Sequence, residues 1–226
     1  MLDSYRGQNA NMHMCEALLA CWQATGESPY LDRAEQLAQR FAVELAGLSD
    51  GMIWEHYDSQ WQLDMQYNID KPDDLFKPWG FQPGHQVEWC KLLLQLNAAR
   101  PSQTWVDRAG SLYDAAMEKG WDREHGGLVY GFAPDGSFCD SHKYFWVHAE
   151  AFAAAWRLYR VTGVQRYLED YRRLWQWSWQ YLVDHEQGAW FRIRNRDGSA
   201  FDDLKSPPGK TDYHTLGACW DVLSQQ

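Results

Sequence analysis

The sequence predicts an all-α fold built from repeated helical hairpins, with short β-hairpin excursions between them. Three observations support this class: a repeated Thr-Gly helix boundary, a repeated glycine-containing hairpin segment, and histidines that recur at predicted helix starts. Self-similarity at a spacing of tens of residues is the signature of stacked supersecondary units. We expect a single domain that covers residues 1–226.

The first repeated feature is a boundary between two helices. The segments "ATGESPYLDRAEQLAQRF" (24–41) and "VTGVQRYLEDYRRLWQWS" (161–178) share Thr-Gly, three spacer residues, Tyr-Leu and an amphipathic run. Glycine adopts the left-handed conformation that ends a helix, and a second helix begins a few residues later. The pattern therefore predicts a helical hairpin that is used at least twice.

The second repeated feature is a hairpin excursion. "WDREHGGLVYGFAPDGSF" (121–138) and "VDHEQGAWFRIRNRDGSAF" (183–201) combine a glycine turn, alternating residues and Asp-Gly-Ser; "LSDGMIWEHYDSQWQLD" (48–64) is a weaker version. Asp-Gly between alternating residues is typical of a short β-hairpin. The predicted unit is helix, Thr-Gly turn, helix, hairpin, next helix.

Four histidines recur at the same position of the repeated unit. They stand at predicted starts of the first helix of each repeat, at intervals of 72, 63 and 66 residues: His13, His85, His148 and His214. If the helix pairs are arranged around an axis, equivalent helix starts face one end of the molecule. We expect the four side chains to converge on one funnel.

The helix that follows residue 83 has a stripe that is polar in its first turn and apolar below it, formed by His85, Glu88, Leu92 and Leu96. At 100° per residue these positions share one face. Glu88 is placed to hold the tautomer of His85, and His13 and Glu16 repeat the offset. Glu150, two residues after His148, should point to another face as a solvated or core-satisfied carboxylate.

Composition limits the function classes. The net charge of -10 and pI near 5.2 argue against a nucleic-acid or anionic-membrane surface, which requires Lys and Arg. A neutral or cationic small ligand fits better, and 14 tryptophans and 12 tyrosines suit a core or a sugar-stacking site. With neither a membrane span nor a signal peptide in the sequence, we expect a cytoplasmic location.

Several chemistries lack their motifs in this sequence. The five cysteines form no CxxC pair and should be buried free thiols. His-x-x-Glu occurs without His-x-x-x-His, so a metal-free site is favoured, and there is no nucleophile elbow, phosphate loop or dinucleotide fingerprint. Histidine acid/base chemistry on an uncharged polar ligand remains, or carboxylate-driven glycoside chemistry.

Four segments in order, "RGQNANMHMCEALLA", "PGHQVEWCKLLL", "KYFWVHAEAFAAA" and "GKTDYHT", resemble the N-acylglucosamine 2-epimerase superfamily, which includes cellobiose 2-epimerases and mannose-type aldose-ketose isomerases. The resemblance covers essentially the whole chain and implies an (α/α)6 barrel. Since members of the superfamily are longer, it also implies a C-terminal portion with about seven of twelve helices. Such a portion would be a fragment or would associate with the missing half, and a homo-oligomer is a further possibility.

The resemblance also implies roles for individual residues. His85 and His214 correspond to the acid/base pair, and the expected substrate contacts are Asn9, His13, Glu88 and Trp146, with Glu88 supporting the catalytic histidine. One histidine would remove the C2 proton of an open-chain monosaccharide or disaccharide to give a cis-enediolate. Neither a metal nor a redox cofactor is implied.

Three departures from common 2-epimerase patterns favour an isomerase of the mannose/fructose type. His148 stands where many 2-epimerases have glutamine, Phe145-Trp146 replaces a Trp-Trp pair, and Gly209 precedes Lys210 where many relatives have tryptophan. The alternatives are a sugar 2-epimerase of the same family, an inactive fragment that at most binds sugar, and an inverting glycosidase using Glu88 and Glu150.

Overall fold

Seven α-helices dominate the part of the chain that the computed structural model describes, residues 4–205 and 213–224. They are α1 (Asn9–Thr25), α2 (Ser28–Ala38), α3 (Pro83–Ala99), α4 (Gln103–Gly120), α5 (Phe145–Thr162), α6 (Gln165–Tyr181) and α7 (Tyr213–Ser224). Helix α2 continues as a π-helical segment, Gln39–Leu45, and a single 3-10 turn, Ala46–Leu48. The predicted all-α class is confirmed. Gly209 and Lys210, where the sequence departs from the tryptophan that precedes this lysine in many relatives, lie outside the described residues.

The helices form antiparallel pairs, α1 with α2, α3 with α4 and α5 with α6. The first members also pack on one another, because α3 contacts both α1 and α5, and α5 contacts α7. Helices α3 and α5 are buried along most of their length, whereas α2, α4 and α6 bury one stripe and expose the rest. An inner row of α1, α3, α5 and α7 thus carries an outer row of amphipathic helices, α2, α4 and α6, packed against α1, α3 and α5.

The two Thr-Gly boundaries have the same geometry. Gly26 and Gly163 lie at φ +73° and +70°, and their N–H groups donate to carbonyls of the preceding helix turn. Each threonine hydroxyl donates to the carbonyl four residues earlier, at 2.8 Å from Thr25 and 2.7 Å from Thr162. The same hydroxyl accepts the N–H two residues later. The predicted C-terminal helix boundary therefore depends on neighbouring residues alone, and it occurs at the ends of both α1 and α5.

Three short antiparallel strand pairs occupy the connections. They are β1 (Arg6–Gly7) with β2 (His56–Tyr57), β3 (Gly131–Phe132) with β4 (Phe138–Asp140), and β5 (Lys143–Tyr144) with β6 (Ile193–Arg194). The 121–138 excursion contributes to the local hairpin β3–β4, as predicted. The other two pairs join distant excursions, and β5–β6 places residues just before α5 beside residues that follow α6.

The five cysteines are unpaired in the structure. Cys15 and Cys90 are buried, but Cys21 is exposed on α1, so the expectation of a buried thiol is wrong at that position. Cys21 lies on the solvent side of a helix whose buried face carries Cys15 and Leu19. Among the described residues, no helix is both long and apolar enough to span a bilayer.

Candidate active site

A cavity of about 380 Å³ lies where α1, α3, α5 and α7 begin. All six residues predicted from the sequence line it: Asn9, His13, His85, Glu88, Trp146 and His214. Tyr130, Tyr144, Arg192 and Ile193, from the strand excursions, complete much of the wall. Its volume is in the range of small-molecule sites, about 300–1,000 Å³.

His85 is oriented by Glu55. The imidazole Nδ1 donates to Glu55 Oε1 at 2.9 Å, and both side chains are buried. Glu55 is held in turn by Gln8, whose amide donates to Glu55 Oε2 at 2.9 Å and whose carbonyl accepts from Trp89 at 2.8 Å. With Nδ1 protonated, Nε2 of the neutral ring carries the lone pair and can act as a base.

The prediction that Glu88 holds the tautomer of His85 is wrong. Helical side chains lean toward the N-terminus, so His85 in the first turn of α3 reaches back to the loop that contains Glu55. Glu88, one turn further along, lies beside His13, with Glu88 Oε1 3.7 Å from His13 Nδ1. Glu55 lies 30 residues before His85, and no local spacing in the sequence relates the two.

His214 is oriented by Glu150. Nδ1 of His214 donates to Glu150 Oε1 at 2.7 Å, and Glu150 also forms an ion pair with the buried Lys91. Glu150 is 1% exposed and points to another face than His148, so the expectation of a core-satisfied carboxylate is confirmed. The sequence did not show that it orients His214, which follows from the packing of α7 on α5. Although burial raises the pKa of Glu150, Lys91 and His214 bring that pKa well below its ordinary value.

Trp146 joins the two histidines. Its ring centroid is 5.1 Å from that of His85 and 5.5 Å from that of His214. Gly84 makes this position possible, because a Cβ at residue 84 would overlap the six-membered ring of Trp146. The Pro-Gly-His segment that opens α3 thus supplies both a histidine and the space for the indole beside it.

His148 does not reach the cavity, which makes the expectation of four convergent histidines wrong. Its Nε2 accepts the Leu128 N–H at 3.0 Å, Nδ1 donates to the Tyr144 carbonyl at 2.9 Å, and the ring stacks on Trp177. Burial lowers the pKa of His148 to about 3. Two residues are 200° apart on a helix, so Trp146 faces the cavity while His148 faces the excursion that contains Leu128.

Glu88 is buried at the floor of the cavity. Neither of its carboxylate oxygens has a hydrogen-bond partner among the described residues. Burial, together with the negative charge of Glu150, raises the pKa of Glu88 to about 8. A carboxyl group with such a pKa is mostly protonated at neutral pH and can donate a hydrogen bond.

Two groups of side chains have donor atoms within 4.8 Å of one another: His13, Glu16 and Glu88, and Glu88, Glu150 and His214. Either geometry could hold a divalent cation. In the second group, the ammonium of Lys91 already neutralises Glu150. The sequence-based expectation of a metal-free site therefore stays a prediction.

Comparison with known proteins places this arrangement in a family. The model of the family described as N-acylglucosamine 2-epimerase matches residues 1–218. The chain belongs to this family. D-mannose isomerase of Marinomonas mediterranea is 53% identical over 223 residues, which are 98% of this chain and 57% of that protein.

Two solved structures have the same helix arrangement as this chain. A crystal structure of a D-mannose isomerase superposes with a TM-score of 0.97 at 52% identity, covering 100% of this chain and 58% of that chain. Cellobiose 2-epimerase from Spirochaeta thermophila gives a TM-score of 0.80 at 22% identity, covering 97% and 52%, and so shares the fold. The chain has the helix arrangement of (α/α)6-barrel epimerase structures and spans little more than half the length of these relatives.

Proposed function

We propose that this chain carries the acid/base site of a cofactor-independent isomerase that interconverts an aldose and a ketose of the mannose/fructose type. The observation that carries the proposal is the pair of carboxylate-oriented imidazoles, His85 with Glu55 and His214 with Glu150, on either flank of one cavity. The D-mannose isomerase relatives support the choice of sugar.

The chemistry starts from the open-chain aldose. The unprotonated Nε2 of one histidine removes the proton on C2, the C1–C2 double bond forms, and O1 gains the negative charge, or a proton from the second histidine where that ring starts as an imidazolium. The first imidazolium then returns its proton to C1, while the O2 proton passes to the second imidazole, or to O1 where O1 carries the charge, and O2 becomes the ketone oxygen. Each imidazole ends in its starting state, and the carboxylate on Nδ1 stabilises the transient imidazolium.

Other polar groups suit the sugar and the enediolate. Asn9 Oδ1 and Arg192 Nε are buried polar atoms without hydrogen-bond partners among the described residues, and both side chains line the cavity. Asn9 Oδ1 can accept from a sugar hydroxyl, whereas Arg192 Nε–H can donate to a developing oxyanion, which a donor already in place stabilises without reorganisation. Trp146 offers an apolar face to the carbon chain of the sugar.

The test is exchange of the C2 proton of mannose in deuterated water, followed by proton NMR. We expect the wild-type chain to exchange this proton and form fructose, and His85→Ala and His214→Ala each to abolish the exchange. His185→Ala, at an exposed histidine outside the cavity, is the matched control. Exchange retained in both site variants contradicts the assignment.

Epimerisation at C2 is the second candidate. Two imidazoles reach the cavity, so one could remove the C2 proton and the other could return a proton to the opposite face. The same experiment separates the outcomes, because an isomerase converts mannose to fructose and a 2-epimerase converts it to glucose. Binding of mannose without exchange would instead support a chain that only binds sugar.

An inverting glycosidase fits the geometry poorly. Oxygens of Glu88 and Glu150 approach within 4.8 Å, whereas inverting enzymes separate their carboxyl groups by about 6.5–9.5 Å to leave room for water. In addition, Glu150 is already engaged by His214 and Lys91. We expect no release of reducing ends from mannose oligosaccharides, measured by a reducing-sugar assay.

A further inference from the structure

Lys91 is a charged residue beneath the cavity, and the acid/base chemistry described above does not use it. It lies on α3 one turn after Glu88, its side chain is 6% exposed, and its ammonium forms an ion pair with Glu150 Oε2. Removing an ammonium from water is costly unless it is well paired. The carboxylates around Lys91 must therefore offset the cost of burying its ammonium.

Three carboxylates lie close together around Lys91: Glu16, Glu88 and Glu150. Titratable groups reach this region from each inner helix: His13 and Glu16 from α1, His85, Glu88 and Lys91 from α3, Glu150 from α5, and Tyr213 and His214 from α7. Two buried carboxylates this close to each other do not both ionise readily, because each raises the pKa of the other. One proton must therefore be shared unequally between Glu88 and Glu150.

The contacts of the two carboxylates decide where the proton resides. Glu150 accepts a hydrogen bond from His214 and contacts the ammonium of Lys91. Glu88 has no hydrogen-bond partner among the described residues and lines the cavity. A charged oxygen is stabilised where it has donors and an opposite charge, so the negative charge belongs on Glu150 and the proton on Glu88.

We propose that Lys91 is a positioning residue that keeps Glu150 ionised behind His214 and leaves the proton of the buried carboxylate pair on Glu88, at the floor of the sugar cavity. The consequence for catalysis rests on the proposed function. A protonated Glu88 would donate a hydrogen bond to the developing enediolate, whereas an ionised Glu88 would repel it.

The two histidine–carboxylate pairs are unequal in this respect. Glu55, behind His85, accepts from the neutral amide of Gln8, whereas Glu150, behind His214, contacts a full positive charge. Lys91 therefore acts on one of the two pairs, and its loss should change the protonation of that side of the cavity. If Lys91 only filled space between the helices, its loss would leave the protonation of Glu88 and Glu150 unaltered.

The first test is the pH dependence of isomerisation in the wild type, Lys91→Met and Lys91→Arg. The active form has Glu150 ionised and Glu88 protonated, so activity falls at low pH as Glu150 gains a proton and at high pH as Glu88 loses its proton. Loss of the positive charge in Lys91→Met raises the pKa of both groups. We expect both limbs of the profile to move to higher pH by about one unit or more, with the wild-type profile kept in Lys91→Arg.

The second test is independent of turnover and of the folding of any variant at residue 91. Carbon-13 NMR of glutamate-labelled wild-type chain, with Glu88→Gln and Glu150→Gln for assignment, reports which carboxyl is protonated at neutral pH. We expect a protonated Glu88 and an ionised Glu150. An ionised Glu88, a protonated Glu150, or unshifted limbs in a folded Lys91→Met variant would overturn the proposal.

The exchange experiment and the NMR titration together distinguish a failure of the role proposed for Lys91 from a failure of the isomerase proposal. If the wild-type chain does not exchange the C2 proton of mannose, the isomerase proposal fails, and the NMR titration still decides the protonation of Glu88 and Glu150. If exchange occurs while Glu88 is ionised at neutral pH, the role of Lys91 fails and the isomerase proposal stands.

Discussion

Glu55 and Glu150 perform the same task from different parts of the chain. Glu55 lies in the excursion before α3 and accepts from His85, and Glu150 lies in α5 and accepts from His214. In both pairs the carboxylate fixes Nδ1 as the donor and so leaves the lone pair on Nε2. The tautomer of these two imidazoles is thus set by residues that do not line the cavity.

Replacing either carboxylate by its amide should lower turnover without a comparable change in KM. In Glu55→Gln and Glu150→Gln the amide carbonyl can still accept from Nδ1, but the imidazolium loses its anionic partner. We expect kcat to fall by about 10²-fold in each variant, measured with mannose as substrate. Glu44→Gln, at an exposed glutamate paired with Arg40, should keep wild-type kcat, and an unchanged kcat in both site variants would refute the role.

His148 makes a prediction about stability instead of activity. Its folded-state pKa of about 3 lies below the ordinary value of about 6.5, so below about pH 6.5 the unfolded chain binds more protons than the native chain. Stability from the neutral ring is therefore fully present above that pH and is lost as pH falls toward 3.

The measurement is the free energy of unfolding in urea at several pH values between about 6.5 and about 4. We expect His148→Gln to remove a slope of up to about 1.4 kcal/mol per pH unit, since glutamine does not titrate and can still accept from the Leu128 N–H. His185→Gln should keep the wild-type slope. Equal slopes in wild type and His148→Gln would show that His148 is not held neutral.

At the scale of the helices, one of the contacts between α3 and α5 also forms the floor of the cavity. Trp146 on α5 occupies the space left by Gly84 on α3, and a Cβ there would overlap the indole. The helix contact and the position of Trp146 therefore depend on the same missing methyl group. A close approach of this kind is a stronger reason for glycine than flexibility, since no left-handed φ is recorded at residue 84.

Gly84→Ala should therefore affect both packing and catalysis. Overpacking at a close contact costs about 1–3 kcal/mol, and displacement of Trp146 should reduce kcat/KM by roughly 10²-fold. Gly217→Ala, a helical glycine of α7 with open space around its Cα, should instead stabilise by about 0.5–1 kcal/mol. Urea unfolding and mannose turnover measure the two effects, and equal behaviour of the two variants would contradict the overlap.

The helices and their ends could be predicted from the sequence because they depend on neighbouring residues. Gly26 and Gly163 end helices through their own left-handed backbone, and Thr25 and Thr162 bond within two to four residues. The partners of the histidines could not be predicted in this way. Glu150 lies 64 residues from His214, and helix packing, which no local pattern encodes, brings the two together.

The repeat in the sequence did not predict which residue of α5 lines the cavity. The similar spacing of the histidines predicted correctly that His13, His85 and His214 lie at the cavity, but on α5 the residue that lines the cavity is Trp146, two residues before His148. Periodicity of tens of residues predicts which end of a helix a residue occupies. The face of the helix it occupies depends on single-residue register.

At the scale of the whole molecule, the first turns of the four inner helices meet at one cavity. The N-terminal end of a helix carries a partial positive charge, so this arrangement favours negative charge at the cavity. The chain as a whole has a net charge of -10. The inner-helix arrangement thus makes a locally favourable place for an anion within an acidic protein.

Helix α7 exposes an apolar stripe on the surface of the molecule. Leu216, Trp220 and Leu223 are 66%, 67% and 64% exposed and lie on one side of the helix. Exposed apolar stripes promote association, so we expect the chain to self-associate as its concentration rises. Leu216→Gln with Trp220→Gln should reduce this association in sedimentation velocity, whereas Trp179→Gln, at an exposed tryptophan of α6, should not.

The contact between Gly84 and Trp146 also bears on how the specificity of this site could change during evolution. The floor of the cavity is shared with the packing of α3 on α5, so a mutation there that admits a different ligand also puts folding at risk. Tyr144, Arg192 and Ile193 lie in or beside the short β5–β6 pair and line the wall of the cavity. New substrate preferences should therefore arise first in these excursions, while the floor is retained between lineages.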